Sequence, residues 1–403
     1  MSRSIALVAL TFLVATIVHA PSDEREMRGL PSLRWNGFAV GLPRALSGDS
    51  PHYLVAVNSL LEDGDFDLRN NYDQALAGDW DAGSRFRGVE IDRHVDVDSR
   101  GLELGTHSPF FVMLLAFFAW PLAGTLWVEP LCVWLTCTAG LVAVAFMGQR
   151  LGALQSGNST VLLVAALASP LLCYSRDIWT EPWIAAIWMA LLSVRNQKNR
   201  FLFGFLGTLI KFPFVVVPVT MGIVQCLKGR YRSGLTLLSS GILAMLTIVL
   251  TVQWLFQDVT DHQAVFHSGV HASFKLSLRG VTGLLLDPAD GLLIFFPVLL
   301  WSCRRVWQNS EEWLPLLTFF CVHAFYSDWM GGTGFGSRYL VPMVPILMLS
   351  VSWPSLGSRL FTGVALYSFA WGLGGGFFPA IVYDRTPWGI FWHVWTSLGS
   401  GPG

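Results

Sequence analysis

The stretch "FLFGFLGTLIKFPFVVVPVTMGIVQCL", residues 201–227, holds one charge, Lys211, in a run long enough for a single tilted transmembrane helix. Both flanks are basic, "RNQKNR" at 195–200 and "KGRYR" at 228–232. Basic residues beside apolar segments mark the cytoplasmic side of a membrane protein. Both ends of the run therefore belong on one side, and the chain must turn back within the bilayer. Lys211 and Pro213 mark the turn, which predicts two short helices meeting deep in the membrane. Broken helices of this kind are tolerated only where their backbone is buried in protein or lines a cavity.

The rest of the chain agrees with a polytopic membrane protein. It has 403 residues, of which 53% are hydrophobic and only 13% charged, about half the charged share of a soluble domain (~25%). The net charge of -1 provides no field for nucleic acid, and neither zinc-finger spacing nor a basic arm is present. Many of the 18 Trp sit near segment ends, as in "DIWTEPW" and "WGIFWHVW", the pattern of interfacial aromatic belts. The six Cys lie in or beside apolar runs without metal or redox spacing and read as small buried hydrophobes.

Residues 1–20 have a basic start, an apolar run and a "VHA" site, so they read as a first transmembrane helix or a signal anchor. Alternation of basic flanks then puts 21–108, 174–182, 256–290 and 327–338 outside, with a bundle over 109–380 and an outer tail over 381–403. Roughly ten to twelve apolar segments are expected by length. Segment 109–127 breaks the alternation if it crosses. Either it is shallow or re-entrant, or the charge rule fails once.

The outer loop opens with "GDSPHYLVAVNSLLEDGDFDLRNNYDQ" (48–74). Ser50 suits a helix cap and Pro51 a first helical position. Tyr53, Val57, Leu60 and Leu61 share a face, and Gly64 is a stop. This predicts an amphipathic helix lying on the outer membrane surface. Asp49 stands at its positive end, facing the bundle, with His52 and Tyr53 as candidate substrate contacts. Glu62 to Asp73 read as solvated loop.

Four further outer stretches carry ionisable groups. They are "THSPFF" (106–111) with His107, "YSRDIWTEPW" (174–183) with Arg176, Asp177 and Glu181, "DHQAVFHSGVHASFKLSLRG" (261–280) with His267, His271 and Arg279, and "YSDWMGGTGFGSRYLVPMVPIL" (326–347) with Arg338 and Tyr339. Ionisable groups at a membrane boundary are costly unless they pair or serve a site. Carboxylates suit a general base or a hard cation, and Arg and Lys suit a phosphate. Together they predict an outer-leaflet site for a lipid-phosphate leaving group and an acceptor that must lose a proton. Asp177 and Glu181, four apart, share a face if that stretch is helical. The constellation requires Asp49 within about 10 Å of one of them, the reach of a bridging cation. The glycine run at 331–336 lacks a Lys-Ser/Thr ending and is not a nucleotide loop.

The order of these motifs resembles the GT-C membrane glycosyltransferases, most of all bacterial relatives of protein O-mannosyltransferases and lipid A aminoarabinose transferases. "GDSPHYLVAVNSLLEDGDFDL" looks like their first-loop acid and surface helix. "HSPF" looks like their re-entry motif, with Ser108 where a proline is usual. "YSRDIWTEP" looks like their second outer acid, at Asp177 or Glu181. "LIKFPF" looks like their broken-helix lysine, and "GGTGFGSRYLVPMVP" like their late Gly-Arg-Tyr run.

The resemblance implies an all-α, GT-C-like bundle in a bacterial inner membrane with an extracytoplasmic active site. Such an enzyme moves a hexosyl or pentosyl group, with inversion, from a polyprenyl-phosphate sugar to a glycolipid, polysaccharide or protein acceptor. Asp49 is implied as base, acceptor ligand or ligand of a divalent cation (Mg, Mn or Zn), and Asp177 or Glu181 as the second acid. Arg338, Arg279 and Lys211 are implied at the phosphate. A transporter or lipid flippase is the competing reading of the same composition.

Overall fold

The computed structural model describes residues 2–19, 32–35, 38–45, 48–77, 93–154, 159–256, 278–288, 290–302, 309–326, 336–351 and 359–377. Helix dominates. Two helical spans, Val128–Gly152 and Tyr231–Leu255, are long and apolar enough to cross a membrane, each 25 residues with mean hydropathy 2.0 and 2.2. At about 1.5 Å per residue either exceeds a ~30 Å hydrocarbon layer.

The first helix, α1 (Ser2–Ile17), packs on α5 (Val128–Leu154), with Val8, Phe12 and Ala15 buried. It runs directly into β1 (Val18–His19), which pairs antiparallel with β3 (Phe38–Gly41), itself paired with β2 (Ser32–Trp35). A second hairpin, β4 (Val95–Val97) with β5 (Glu103–Gly105), lies later in the same loop. An entirely helical chain was expected, and these two small sheets correct it. Asp98 organises the second turn, accepting from the backbone N–H groups of Arg100 and Leu102, so the chain between the hairpin strands needs no helix to satisfy its donors.

Helix α2 spans Ser50–Glu62, and α3 spans Arg69–Ala77. The helix stop at Gly64 is as expected: its φ is +74° and its N–H reaches back to the Ser59 carbonyl. Two details differ. The cap residue is Asp49, one position before Ser50. And α2 is buried on every side from His52 to Ser59, so it is not a helix with one wet face. It packs between α3 and α4 (Pro109–Ala119), which enclose it within the protein.

The ambiguous segment 109–127 is short. Helix α4 has 11 residues and ends in a 3-10 turn at Trp120–Leu122. About 16 Å of α-helix covers roughly half the hydrocarbon layer. As a helix this segment is too short to cross the layer.

Proline interrupts several of the other apolar segments. Residues 158–173 form α6 (Ser159–Leu167) and α7 (Leu171–Ser175), parted at Ser169 and Pro170. Then come α8 (Thr180–Ser193), α9 (Gln197–Ile210), a 3-10 turn at Phe212–Val215, α10 (Val216–Leu227) and α11 (Tyr231–Phe256). The turn after Lys211 is where Pro213 put it. Helices α9 and α10 both pack on α11, and the approach of α10 to α11 runs through Gly222 and Gly234, where a Cβ on Gly222 would stand 2.8 Å from the Gly234 carbonyl oxygen. Next are α12 (Leu278–Leu286), α13 (Leu292–Phe295) with a 3-10 turn at Pro297–Ser302, and α14 (Ser310–Ala324). The described chain ends with a 3-10 turn at Arg338–Met343, α15 (Val344–Ser350) and α16 (Arg359–Phe377). Segment 291–303 is thus not one straight span.

Candidate functional site

Asp49 occupies a capping position in helical conformation, yet its carboxylate makes no capping bond to its own helix. Capping is the usual use of an aspartate there. Instead Oδ2 accepts from Arg338 Nη2 at 2.6 Å. The backbone holds the carboxylate in this direction from both sides. Gly48 before it has φ +57°, and Ser50 Oγ after it donates to the Ile178 carbonyl at 3.0 Å. Upstream, the buried Arg44–Glu129 pair at 2.6 Å and the Ala45 N–H bond to Glu129 pin the incoming loop to α5.

Arg338 also donates through Nε to Glu181 Oε1 at 3.1 Å, and Glu181 accepts from Lys211 Nζ at 2.5 Å. Four ionised groups from four distant parts of the sequence thus form one chain: Asp49, Arg338, Glu181, Lys211. One guanidinium joins the two carboxylates, well within the separation the constellation requires. Trp179 and Tyr339 lie under the Arg338 guanidinium, 4.4 and 5.5 Å from ring centroid to Cζ, and Tyr339 also faces Lys211 Nζ at 5.1 Å. His323, buried, stacks obliquely on Tyr339 at 5.0 Å.

Local structure explains why these residues meet. Lys211 follows the last residue of α9, at the break the proline creates. Glu181 stands in the first turn of α8, where the helix dipole favours a carboxylate. Arg338 opens its 3-10 turn directly after Ser337, whose φ is +55°, a left-handed conformation rare for a residue with a side chain. Ser337 Oγ donates to the carbonyls of Leu284 and Asp290, which holds the turn in place.

Burial separates the two acids. The Glu181 side chain is 0% exposed and that of Asp49 is 17% exposed. Glu181 is the inner counter-ion of two cations, and Asp49 is the more exposed carboxylate. Burial alone pushes the Asp49 carboxyl up. Arg338, then His107 and His94, outweigh it and hold the group well below the usual carboxylate range.

An imidazole cluster adjoins Asp49. His52 stacks on His94 with ring centroids 3.8 Å apart, His107 lies 6.1 Å from each, and Tyr53 packs on His107 at 4.5 Å. His52 Nδ1 bonds the Tyr72 hydroxyl at 2.8 Å. Burial, then the neighbouring His94 and His107, push the His52 pKa down to about 3, so it is neutral at physiological pH. One ligand atom each of Asp49, His94 and His107 lie within 4.8 Å of one another. One carboxylate with two imidazoles suits Zn²⁺ or Mn²⁺ better than Mg²⁺, which prefers an all-oxygen shell. A small cavity of about 20 Å³ beside His52, His94 and His107 is lined otherwise by apolar side chains, among them Phe66, Leu68, Leu104 and Val112, and Asp49 does not border it.

Several expected residues stand apart from this network or outside the described residues. Asp177 and Glu181 do not share a helical face, because α8 begins at Thr180 and Trp179 before it is extended. The buried Asp177 carboxylate accepts from the Ile178 backbone N–H, while Glu181 carries the ion pairs. Arg176 is buried beside it. Arg279 is exposed near the start of α12, with no ion pair to this network among the described residues. Its helix sets Gly280 against the Ala324 carbonyl, which leaves the Arg279 side chain to solvent. His267 and His271 lie outside the described residues. The acids after α2 are mostly exposed, and some have local work: Asp63 accepts from Asn70 and Asn71, and Asp67 from the Arg69 and Glu103 backbone.

Sequence reading did not single out His94, Trp179 or His323. Trp179 had a signal, since it lies inside the "YSRDIWTEP" motif. His94 had none, being one polar residue in an acid-rich loop that only the β4–β5 hairpin returns to Asp49.

No protein-family model matches the chain, and no curated protein sequence matches it. Two solved structures align with it. One is the archaeal oligosaccharyltransferase AglB from Archaeoglobus fulgidus in complex with an inhibitory peptide and a dolichol-phosphate, at 10% identity and TM-score 0.46, covering 93% of this chain and 55% of that one. The other is the Archaeoglobus fulgidus oligosaccharyltransferase in the apo form, at 11% identity and TM-score 0.45, covering 98% of this chain and 59% of that one. The chain therefore spans little more than half the length of either.

Proposed function

We propose that this protein is a membrane glycosyltransferase of GT-C type, transferring a sugar from a polyprenyl-phosphate donor to an acceptor of the cell envelope at the outer face of the membrane. The observation that carries this reading is the Asp49–Arg338–Glu181–Lys211 chain: a partly exposed carboxylate bonded to a buried cation pair. The order of motifs along the sequence supports the same reading.

The chemistry follows from that geometry. The acceptor oxygen attacks the anomeric carbon from the face opposite the phosphate, the carbon–phosphate-oxygen bond breaks, and its electron pair leaves on the phosphate. A single displacement inverts the centre and needs one proton acceptor, not the acid/base carboxylate pair of a hydrolase. Arg338 and Lys211 stabilise the leaving phosphate, with Glu181 keeping both in place.

Asp49 receives the acceptor proton. While Arg338 is bonded to it, Asp49 is a weak base, because a useful base titrates near the working pH. A donor phosphate that draws the Arg338 N–H groups to itself raises the proton affinity of Asp49, so base strength arrives with the donor. In an alternative role Asp49, with His94 and His107, would hold a divalent cation, which would supply neutralisation of phosphate charge.

The test is reconstitution in liposomes with radiolabelled polyprenyl-phosphate sugars and envelope lipid. Asp49→Asn should lose transfer by roughly 10²-fold or more, the scale of general-base loss. Equal turnover by Asp49→Asn would remove Asp49 from the chemistry. Movement of the lipid across the bilayer with no sugar transferred would replace the enzyme by a flippase.

A further inference from the structure

Helix α9 carries Lys211 just past one end and a different group of charges at the other, about 20 Å away. There an open basin of about 560 Å³ is lined by Arg195, Arg200, Arg230, Arg232, Ser233 and Glu311, among other residues. It lies where the ends of α8 and α10 meet the starts of α9, α11 and α14. Four arginines face one carboxylate. Glu311 is already engaged by Gln225, by Lys228 at 3.0 Å and by Arg230 at 2.9 Å. It leaves Arg195, Arg200 and Arg232 without a carboxylate among the described residues.

Arg200 is the informative member. Its Nη1 donates to Ser233 Oγ at 2.7 Å, while its Nε is buried with no hydrogen-bond partner among the described residues. A buried guanidinium N–H without an acceptor is costly, and native structures keep such groups where something else satisfies them. The guanidinium fork matches phosphate oxygens in shape and charge.

Apolar surface adjoins the basin in sequence: Tyr231, which lines it, is 65% exposed, and Leu227 and Leu235, four residues to either side of it, are 82% and 60% exposed. A phosphate head beside two hydrocarbon chains fits a basic basin with such apolar surface, whereas a soluble phosphate would leave that surface unused. We propose that this basin binds the headgroup of an anionic phospholipid, with its acyl chains along Leu227, Tyr231 and Leu235. The proposal rests on the reading of the chain as membrane-embedded and is independent of the transfer chemistry at Asp49.

The test uses the full chain purified in detergent and native mass spectrometry with equal amounts of phosphatidylglycerol and phosphatidylcholine. Wild type should retain phosphatidylglycerol in clear preference. Arg232→Gln should reduce that preference about fivefold, the effect of removing one basic residue near an anionic headgroup. Arg200→Gln with Arg232→Gln should abolish it, and because Arg232 is exposed, its single substitution carries the test even where the double variant unfolds. Asp49→Asn should bind lipid like wild type, which separates a failure here from a failure of the transferase reading. Equal retention of both lipids, or an unchanged preference in Arg232→Gln, overturns the proposal. So does displacement of the lipid by millimolar inorganic phosphate, which would assign the basin to a soluble anion.

Discussion

Asp49 and His52 sit three residues apart and respond to pH in separate windows. The Asp49 carboxyl is held below its unfolded value of 3.8, so its contribution to stability is complete above that value and is lost only as pH falls below it. His52 is a base whose folded pKa, about 3, lies below its unfolded 6.5. Below 6.5 the unfolded chain takes a proton the folded chain refuses, and each pH unit costs about 1.4 kcal/mol until the folded value is reached. Between pH 4.5 and 6, about where Asp49 stays ionised in both states, His52, faced by His94, His107 and Tyr72, contributes to the slope. Thermal melts across that window should show wild type losing stability with acid and His52→Gln losing less. A slope unchanged by His52→Gln would show that the ring is not held neutral. At this scale Asp49, Glu181, Lys211 and Arg338 were all legible in the sequence, because charged side chains are rare in an apolar chain and stand out. The choice between Asp177 and Glu181 was not, because it depends on where α8 begins.

At the scale of elements, the turn into α2 decides where Asp49 points. Gly48 needs its positive φ, and a Cβ there would stand 2.6 Å from Trp179 Cη2, the ring that also lies under Arg338. Gly48→Ala should therefore cost about 1–3 kcal/mol from strain and overpacking together, and it should also reduce transfer by displacing Asp49 and Trp179. Gly64, with φ +74° and open space around it, provides the control. Gly64→Ala should cost about 1 kcal/mol of backbone strain and leave transfer unchanged. Melting temperature and turnover measured on both variants check the pair, and equal turnover in the two would remove Gly48 from the positioning of the site. The same scale shows why α2 is more enclosed than its apolar spacing predicts. Its apolar spacing is real, but the covering elements, α3 and α4, come from polar loop and from a half-length apolar segment whose placement periodicity does not reveal.

For the whole molecule, the orientation drawn from basic flanks puts the Asp49 site and the arginine basin on opposite faces of the membrane. A membrane-impermeant maleimide applied to intact cells should label Asp65→Cys and reach Lys198→Cys only after lysis; the reverse order would invert the topology. The sequence by itself determined the apolar character of the chain, the break at Lys211 and Pro213, and the set of charged residues worth watching, since hydropathy, proline and isolated charge act locally and can be read along a line. The tertiary structure alone decided which of those charges meet. The pairing of Asp49 with Arg338 joins residues 289 apart in sequence, and His94 enters through a hairpin whose partners are remote from α2. Such contacts are set by helix ends, a left-handed turn at Ser337 and packing across distant segments, all of which depend on three-dimensional closure rather than on local pattern.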